Sequence, residues 1–117
     1  MIKTAIIDDE PHGIKTLRYQ LEKSGMAEIV FATDSSADGL YQLQKNNIDI
    51  LFLDIEMPEL NGFEMLSQLK EINFKVVFVT AYNQYAIKAI KMNALDYLLK
   101  PVDKKELDET LEKFLQQ

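Results

Sequence analysis

Asp49-Ile50-Leu51-Phe52-Leu53-Asp54 sets large apolar side chains in an unbroken row between two carboxylates, and its reading decides the fold. A run this short, rich in Ile, Leu and Phe and without polar alternation, reads as a strand over Asp49–Leu53 that is covered on both faces. Outward from it the same signature recurs at Ile2–Ile7, Glu28–Ala32, Lys75–Val79 and Leu95–Leu98. Between these strands, apolar residues fall at helical spacing over Pro11–Ser24, Ala37–Asn46, Gly62–Ile72, Gln84–Met92 and Lys104–Leu115. Strands alternating with helices from beginning to end predict a parallel sheet with helices on both faces, an α/β fold.

Local signals agree with these boundaries. Pro11 suits a first helical turn, where its missing N–H costs nothing, and Gly25 can close that helix in a left-handed conformation. Asp103 followed three residues later by Glu106 is a capping-box-like start for the last helix. Leu107, Leu111, Phe114 and Leu115 fall at helical spacing along it, and most of that stripe is expected in the core.

The 117 residues, 47% of them hydrophobic, suffice for one domain spanning 1–117 with a single core. A net charge of −6 disfavours direct binding of nucleic acid or an anionic membrane. The chain has no cysteine, no apolar run near the length of a membrane span and no signal-peptide core at its start, which fits a cytoplasmic protein. No linker or repeat is visible. The chain therefore reads either as a complete small protein or as a domain cut at its natural edge.

In an open parallel sheet, functional groups gather beyond the carboxyl ends of the strands. There the sequence places Asp8-Asp9-Glu10 after the first strand, Asp54 after the third, Thr80 after the fourth and Lys100-Pro101 after the fifth. The second contributes only Thr33-Asp34. Clustered carboxylates repel one another and hold a hard divalent cation, with Mg2+ preferred where few protein ligands and several waters complete an octahedron. A cation held by Asp8, Asp9 and Asp54 would also neutralise an incoming phosphoryl group. Asp54 could then act as nucleophile, with Thr80 and Lys100 binding the new phosphoryl oxygens.

Each residue alone has a plainer reading. Acidic residues after a strand are often helix caps, and a lone lysine is usually a solvated charge. His12, the only histidine, reads as an exposed residue of a first helical turn. The functional reading rests on the conjunction across four strand ends.

Those residues resemble the receiver domains of two-component response regulators over essentially the whole chain. Ala5-Ile6-Ile7-Asp8-Asp9-Glu10 is similar to that family's acidic pair, and Leu51-Phe52-Leu53-Asp54-Ile55-Glu56-Met57-Pro58 to its phosphoacceptor segment. Val79-Thr80-Ala81 looks like the switch hydroxyl segment and Tyr97-Leu98-Leu99-Lys100-Pro101 like the lysine segment. Ala81-Tyr82-Asn83-Gln84-Tyr85-Ala86 and Ala94-Leu95-Asp96-Tyr97 resemble the LytTR class, whose receivers usually precede a DNA-binding domain.

The resemblance implies a flavodoxin-like (βα)5 three-layer sandwich of strand order 2-1-3-4-5, with Asp54 as phosphoacceptor for a sensor histidine kinase. It implies Mg2+ held by Asp9, Asp54 and the backbone carbonyl of Glu56, with Asp8 acting through water, and a cis bond before Pro101. Thr80 and Tyr97 would form a switch that reshapes the surface of the fourth helix, fifth strand and fifth helix. Tyr97 also reads as a half-buried strand tyrosine with no moving part. Ala86, Ile87, Ala89, Ile90 and Met92 make the fourth helix more apolar than one buried stripe needs, so it presents either a free face or a fully buried one.

Asn93 stands where the family commonly has Gly, and Asn tolerates the left-handed conformation that such a turn requires. Glu56 and Tyr82 occupy positions that govern the lifetime of the phosphoryl group in the family, which stays open here. Dimerisation on phosphorylation stays open too. A phosphatase of the haloacid dehalogenase type would share Asp, Thr and Lys, but Asp54-Ile55-Glu56 lacks the second aspartate of that motif. A receiver-like interaction module that never accepts phosphate is the remaining alternative.

Overall fold

A computed structural model describes all residues from Met1 to Gln117. The elements run β1 (Ile2–Ile7), α1 (Pro11–Ser24), β2 (Ala27–Thr33), α2 (Ser36–Lys45), β3 (Ile50–Leu53), α3 (Gly62–Ser67), β4 (Lys75–Thr80), α4 (Ala86–Lys91), β5 (Asp96–Leu99) and α5 (Lys104–Leu115). All strand pairs are parallel and the order is β2-β1-β3-β4-β5, as expected.

Two apolar layers sandwich the sheet, because alternate side chains of each strand point to opposite faces. On one face Ile6, Phe52, Val77 and Val79 meet Leu17 and Leu21 of α1 and Leu107 and Leu111 of α5. On the other, Ile7, Leu51, Leu53 and Phe78 meet Met65 and Leu66 of α3 and Ala89 of α4. Burial on both faces holds for β3 throughout, and for β1 and β4 apart from one lysine each. It fails for β2 and β5, the sheet edges, where residues such as Val30 and Leu99 are exposed because no further strand or helix reaches them.

The expected helix over Gly62–Ile72 ends at Ser67. The Ser67 hydroxyl donates to the Glu64 carbonyl at 2.6 Å, and the Gln68 amide reaches back only to Met65, so the last turn tightens. Ile72 is exposed and offers no core contact to prolong the helix. Likewise α4 is shorter than Gln84–Met92, with Tyr85 as its N-cap residue.

The terminal signals mostly read correctly. Gly25 has φ 70° and Asn93 φ 63°, both left-handed. Asp103 accepts the Glu106 amide at 3.2 Å, half of a capping box, whereas the reciprocal pair forms at Asn61 and Glu64. On α5, Leu107 and Leu111 are fully buried, Phe114 packs partly against the core, and Leu115 is 59% exposed.

Leu111→Ala should therefore cost about 3 kcal/mol in urea unfolding, the range for a collapsed core leucine. Leu115→Ala should stay within about 0.5 kcal/mol of the parent, as for other surface changes. Equal losses at the two positions would contradict the assigned face of α5.

Candidate functional site

The carboxyl ends of β1, β3, β4 and β5 converge on a shallow acidic crevice. The Asp54 amide donates to the Ile7 carbonyl at 2.9 Å and the Lys100 amide to the Thr80 carbonyl at 2.8 Å, so sheet-like bonds continue into the site and fix its side chains. The Lys100–Pro101 peptide bond is cis.

Lys100 is the hub. Its ammonium lies 2.6 Å from Glu10 Oε1, 2.9 Å from Asp8 Oδ2 and 3.3 Å from Asp54 Oδ2. One oxygen from each of these acids lies within 4.8 Å of the others. Burial alone would push the Lys100 ammonium down, but hydrogen bonds to Glu10 and Asp8 outweigh it and hold its pKa above the ordinary lysine value. Lys100 in turn lowers the pKa of the exposed Glu10 carboxyl.

Asp54 behaves differently. Desolvation first, and then the neighbouring charge of Asp8, push its pKa up to about 7 against the opposing pull of Lys100 and the Ile55 amide. That amide donates to Asp54 Oδ1 at 2.7 Å. A carboxylate so crowded with negative charge gains from any added cation.

Asp9 and Glu56 turn to an adjoining cavity of about 410 Å³, lined also by Met57, Pro58, Asn61 and Tyr85. Asp9 Oδ1 is buried there without a hydrogen-bond partner. The close acidic triad is Asp8, Glu10 and Asp54, and the orphaned oxygen of Asp9, next in the chain to Asp8 and sharing a cavity with Glu56, adds a donor that suits a hard oxygen-loving cation such as Mg2+. The Glu56 carboxylate accepts from the Tyr85 hydroxyl at 2.7 Å.

Thr80 is fully buried, and its hydroxyl accepts the Tyr82 amide at a long 3.4 Å. Tyr97 is half-buried beside Phe78, with ring centroids 6.4 Å apart, and its hydroxyl donates to the Tyr82 carbonyl. Burial raises the Tyr97 pKa, opposed by the Tyr85 backbone amide. His12 lies with Thr16, Pro101 and Val102 in the wall of a cavity that Glu10 and Lys100 also line.

Three contributors escaped the sequence reading. Glu10 was legible only as the end of an acidic run, yet it is the carboxylate nearest Lys100. Gly13 carried a signal, since a glycine inside a helix marks a close approach. A Cβ there would stand 2.7 Å from Asp8 Oδ2. Tyr85 stood in a segment that resembles the LytTR class, but its contact carried no signal, because its partner Glu56 is 29 residues away in the chain.

The protein-family model described as the response regulator receiver domain matches residues 4–112. The chain belongs to that family. It is 42% identical over its whole length to the sensory transduction protein LytT of Bacillus anthracis, covering 48% of that protein. It is also 42% identical over its whole length to the transcriptional regulatory protein BtsR of Escherichia coli, covering 49% of it. These relatives bear out the resemblance to LytTR-type regulators, and the receiver spans about half of their length. Among solved structures it is similar to the response regulator TrrA of Thermotoga maritima in complex with Mg2+ and BeF. The TM-score is 0.85 at 29% identity, over 97% of this chain and 99% of that one.

The raised pKa of Asp54 gives a pH dependence. A carboxyl whose folded pKa exceeds its unfolded value stabilises the fold below the unfolded pKa, and that contribution is lost as pH rises through the folded one. The window here runs from 3.8 to about 7. In chelator-treated protein, Asp54→Asn should therefore be more stable than the parent at pH 8, by on the order of 2 kcal/mol once solvent screening is allowed for. The gain should shrink towards zero near pH 4. Denaturant midpoints across that range check it, and a pH-independent difference would contradict it.

Proposed function

We propose that this receiver accepts a phosphoryl group on Asp54 from a phosphohistidine of a sensor kinase, and that it acts in the cytoplasm as the input module of a longer regulator. The observation that carries the reading is Asp54 itself, a desolvated carboxylate within 3.3 Å of the Lys100 ammonium. Asp9, Asp54 and the backbone carbonyl of Glu56 would hold Mg2+, with Asp8 acting through water. The ion supplies charge neutralisation for the phosphoryl oxygens when bound.

The chain's own residues do the rest. An Asp54 carboxylate oxygen attacks phosphorus, the phosphorus–nitrogen bond of the donor breaks, and the donor ring, already protonated on its other nitrogen, leaves as neutral imidazole, giving an acyl phosphate. Lys100 then exchanges its carboxylate contacts for a phosphoryl oxygen, and the Thr80 hydroxyl takes another by leaving the Tyr82 amide. Hydrolysis of the acyl phosphate resets the domain. It is a switch and not a turnover enzyme.

Tyr97 completes the switch by following Thr80 inward and giving up the Tyr82 carbonyl. Phosphorylation shifts this equilibrium only as far as the two states differ in interaction free energy. The surface that changes is α4, β5 and α5, where Ile87 is 69% and Ile90 74% exposed, so the apolar face of α4 is free. A DNA-binding segment elsewhere in the whole protein would read that change as transcriptional control, as the name of the transcriptional regulatory protein BtsR suggests by analogy.

Beryllofluoride with Mg2+ should shift the amide resonances of Asp54, Thr80, α4 and β5. Asp54→Asn should abolish the whole response. Thr80→Ala should keep the response at Asp54 and lose most of it at α4. No shift in the parent, or an unchanged response in Asp54→Asn, would overturn the proposal.

A further inference from the structure

Tyr85 stands where two loops meet. As the N-cap residue of α4 it offers its carbonyl to the Ala89 amide at 3.0 Å, while its hydroxyl donates to Glu56 Oε2 at 2.7 Å. That is the one hydrogen bond joining the segment after β3 to the segment after β4. Its length is that of a bond to a charged acceptor. The Tyr85 hydroxyl's pKa is raised, first by this bond to Glu56.

The ring is also held. Its centroid lies 6.1 Å from that of Phe63 on α3 and 6.5 Å, edge to face, from that of Tyr82. Phe63 packs on Phe78 at 4.8 Å and carries the Lys88 ammonium of α4 at 4.4 Å from its ring centre. The Tyr85 ring therefore sits between α3 and the loop before α4, and Lys88 links Phe63 back to α4.

Glu56 lines the same cavity as Asp9, whose Oδ1 has no partner. A cation entering beside Asp9 attracts the Glu56 carboxylate. That carboxylate must then either release the Tyr85 hydroxyl or draw it along. We propose that Tyr85 is a positioning residue that ties the first turn of α4 to the loop after Asp54 through Glu56. Cation occupancy of the crevice is thereby felt at α4 by a route that does not pass through Thr80. The tie itself stands on geometry, and only its link to the cation rests on the function proposed above.

Two amides report on the tie without any metal. The Gly62 amide donates to the Ile55 carbonyl at 2.7 Å in one loop, and the Ala89 amide to Tyr85 in the other. In chelator-treated protein, Tyr85→Phe should speed hydrogen exchange at Gly62, and Glu56→Ala should speed it at Ala89, each roughly threefold, as for loss of one modest hydrogen bond. Glu56→Gln keeps an acceptor oxygen and should restore Ala89 to near the parent rate. Effects confined to each variant's own loop would overturn the tie.

The cation link is read by Mg2+ titration. Tyr85→Phe frees the Glu56 carboxylate for the ion and should tighten Mg2+ binding roughly threefold, the scale of a partly exposed charge interaction. In a Glu56→Ala background the same substitution should change nothing. An unaltered affinity in Tyr85→Phe, or an equal change in both backgrounds, would overturn the link. Absence of Mg2+ binding by the parent would instead overturn the proposed cation site, with the exchange experiment still deciding the tie.

Discussion

One ammonium group holds the carboxyl ends of this sheet together. Lys100 draws Asp8, Glu10 and Asp54 into a space that unshielded carboxylates would not share. It pairs closely with Asp8 and Glu10 and less closely with Asp54, where burial and the Asp8 charge outweigh it and keep the pKa raised while that of Glu10 falls. That inequality leaves Asp54 as the group with most to gain from further positive charge. The scaffold serves this arrangement: parallel pairing of β1, β3, β4 and β5 brings the four strand ends side by side.

Close backbone packing does the remaining positioning. Gly62 carries no side chain because a Cβ there would stand 2.5 Å from the Asp54 carbonyl, and Gly13 leaves room for the Asp8 carboxylate. The α3 helix begins as near to Asp54 as an α-carbon allows. The segment that carries Glu56 is thus pinned at Asp54 and again at Gly62, with Tyr85 gripping it between.

The sequence made the sheet legible because its signals were local. Apolar runs closed by Asp8, Asp54 and Thr80 mark strands and site together, and parallel topology follows from alternation alone. Edge exposure was not legible, since the composition of β2 and β5 does not say that nothing lies beyond them. The early end of α3 was hidden too, because Ile72 keeps the helical spacing but finds no core. Within the site, Asp8, Asp54 and Lys100 could be assembled from strand ends. The Tyr85 contact could not, because its geometry depends on how two irregular loops pack. The free face of α4 falls between these cases: its excess of apolar residues was visible, and its exposure is a fact of packing.

Asp54 is the proposed phosphoacceptor of this crevice. Mass spectrometry after incubation with Mg2+ and a small acyl-phosphate donor tests that role most directly. One added phosphoryl group per chain is expected, mapped to the peptide containing Asp54, absent in Asp54→Asn and absent when chelator removes the metal. Stable labelling of Asp54→Asn to the same extent as the parent, or no labelling of the parent at all, would contradict it.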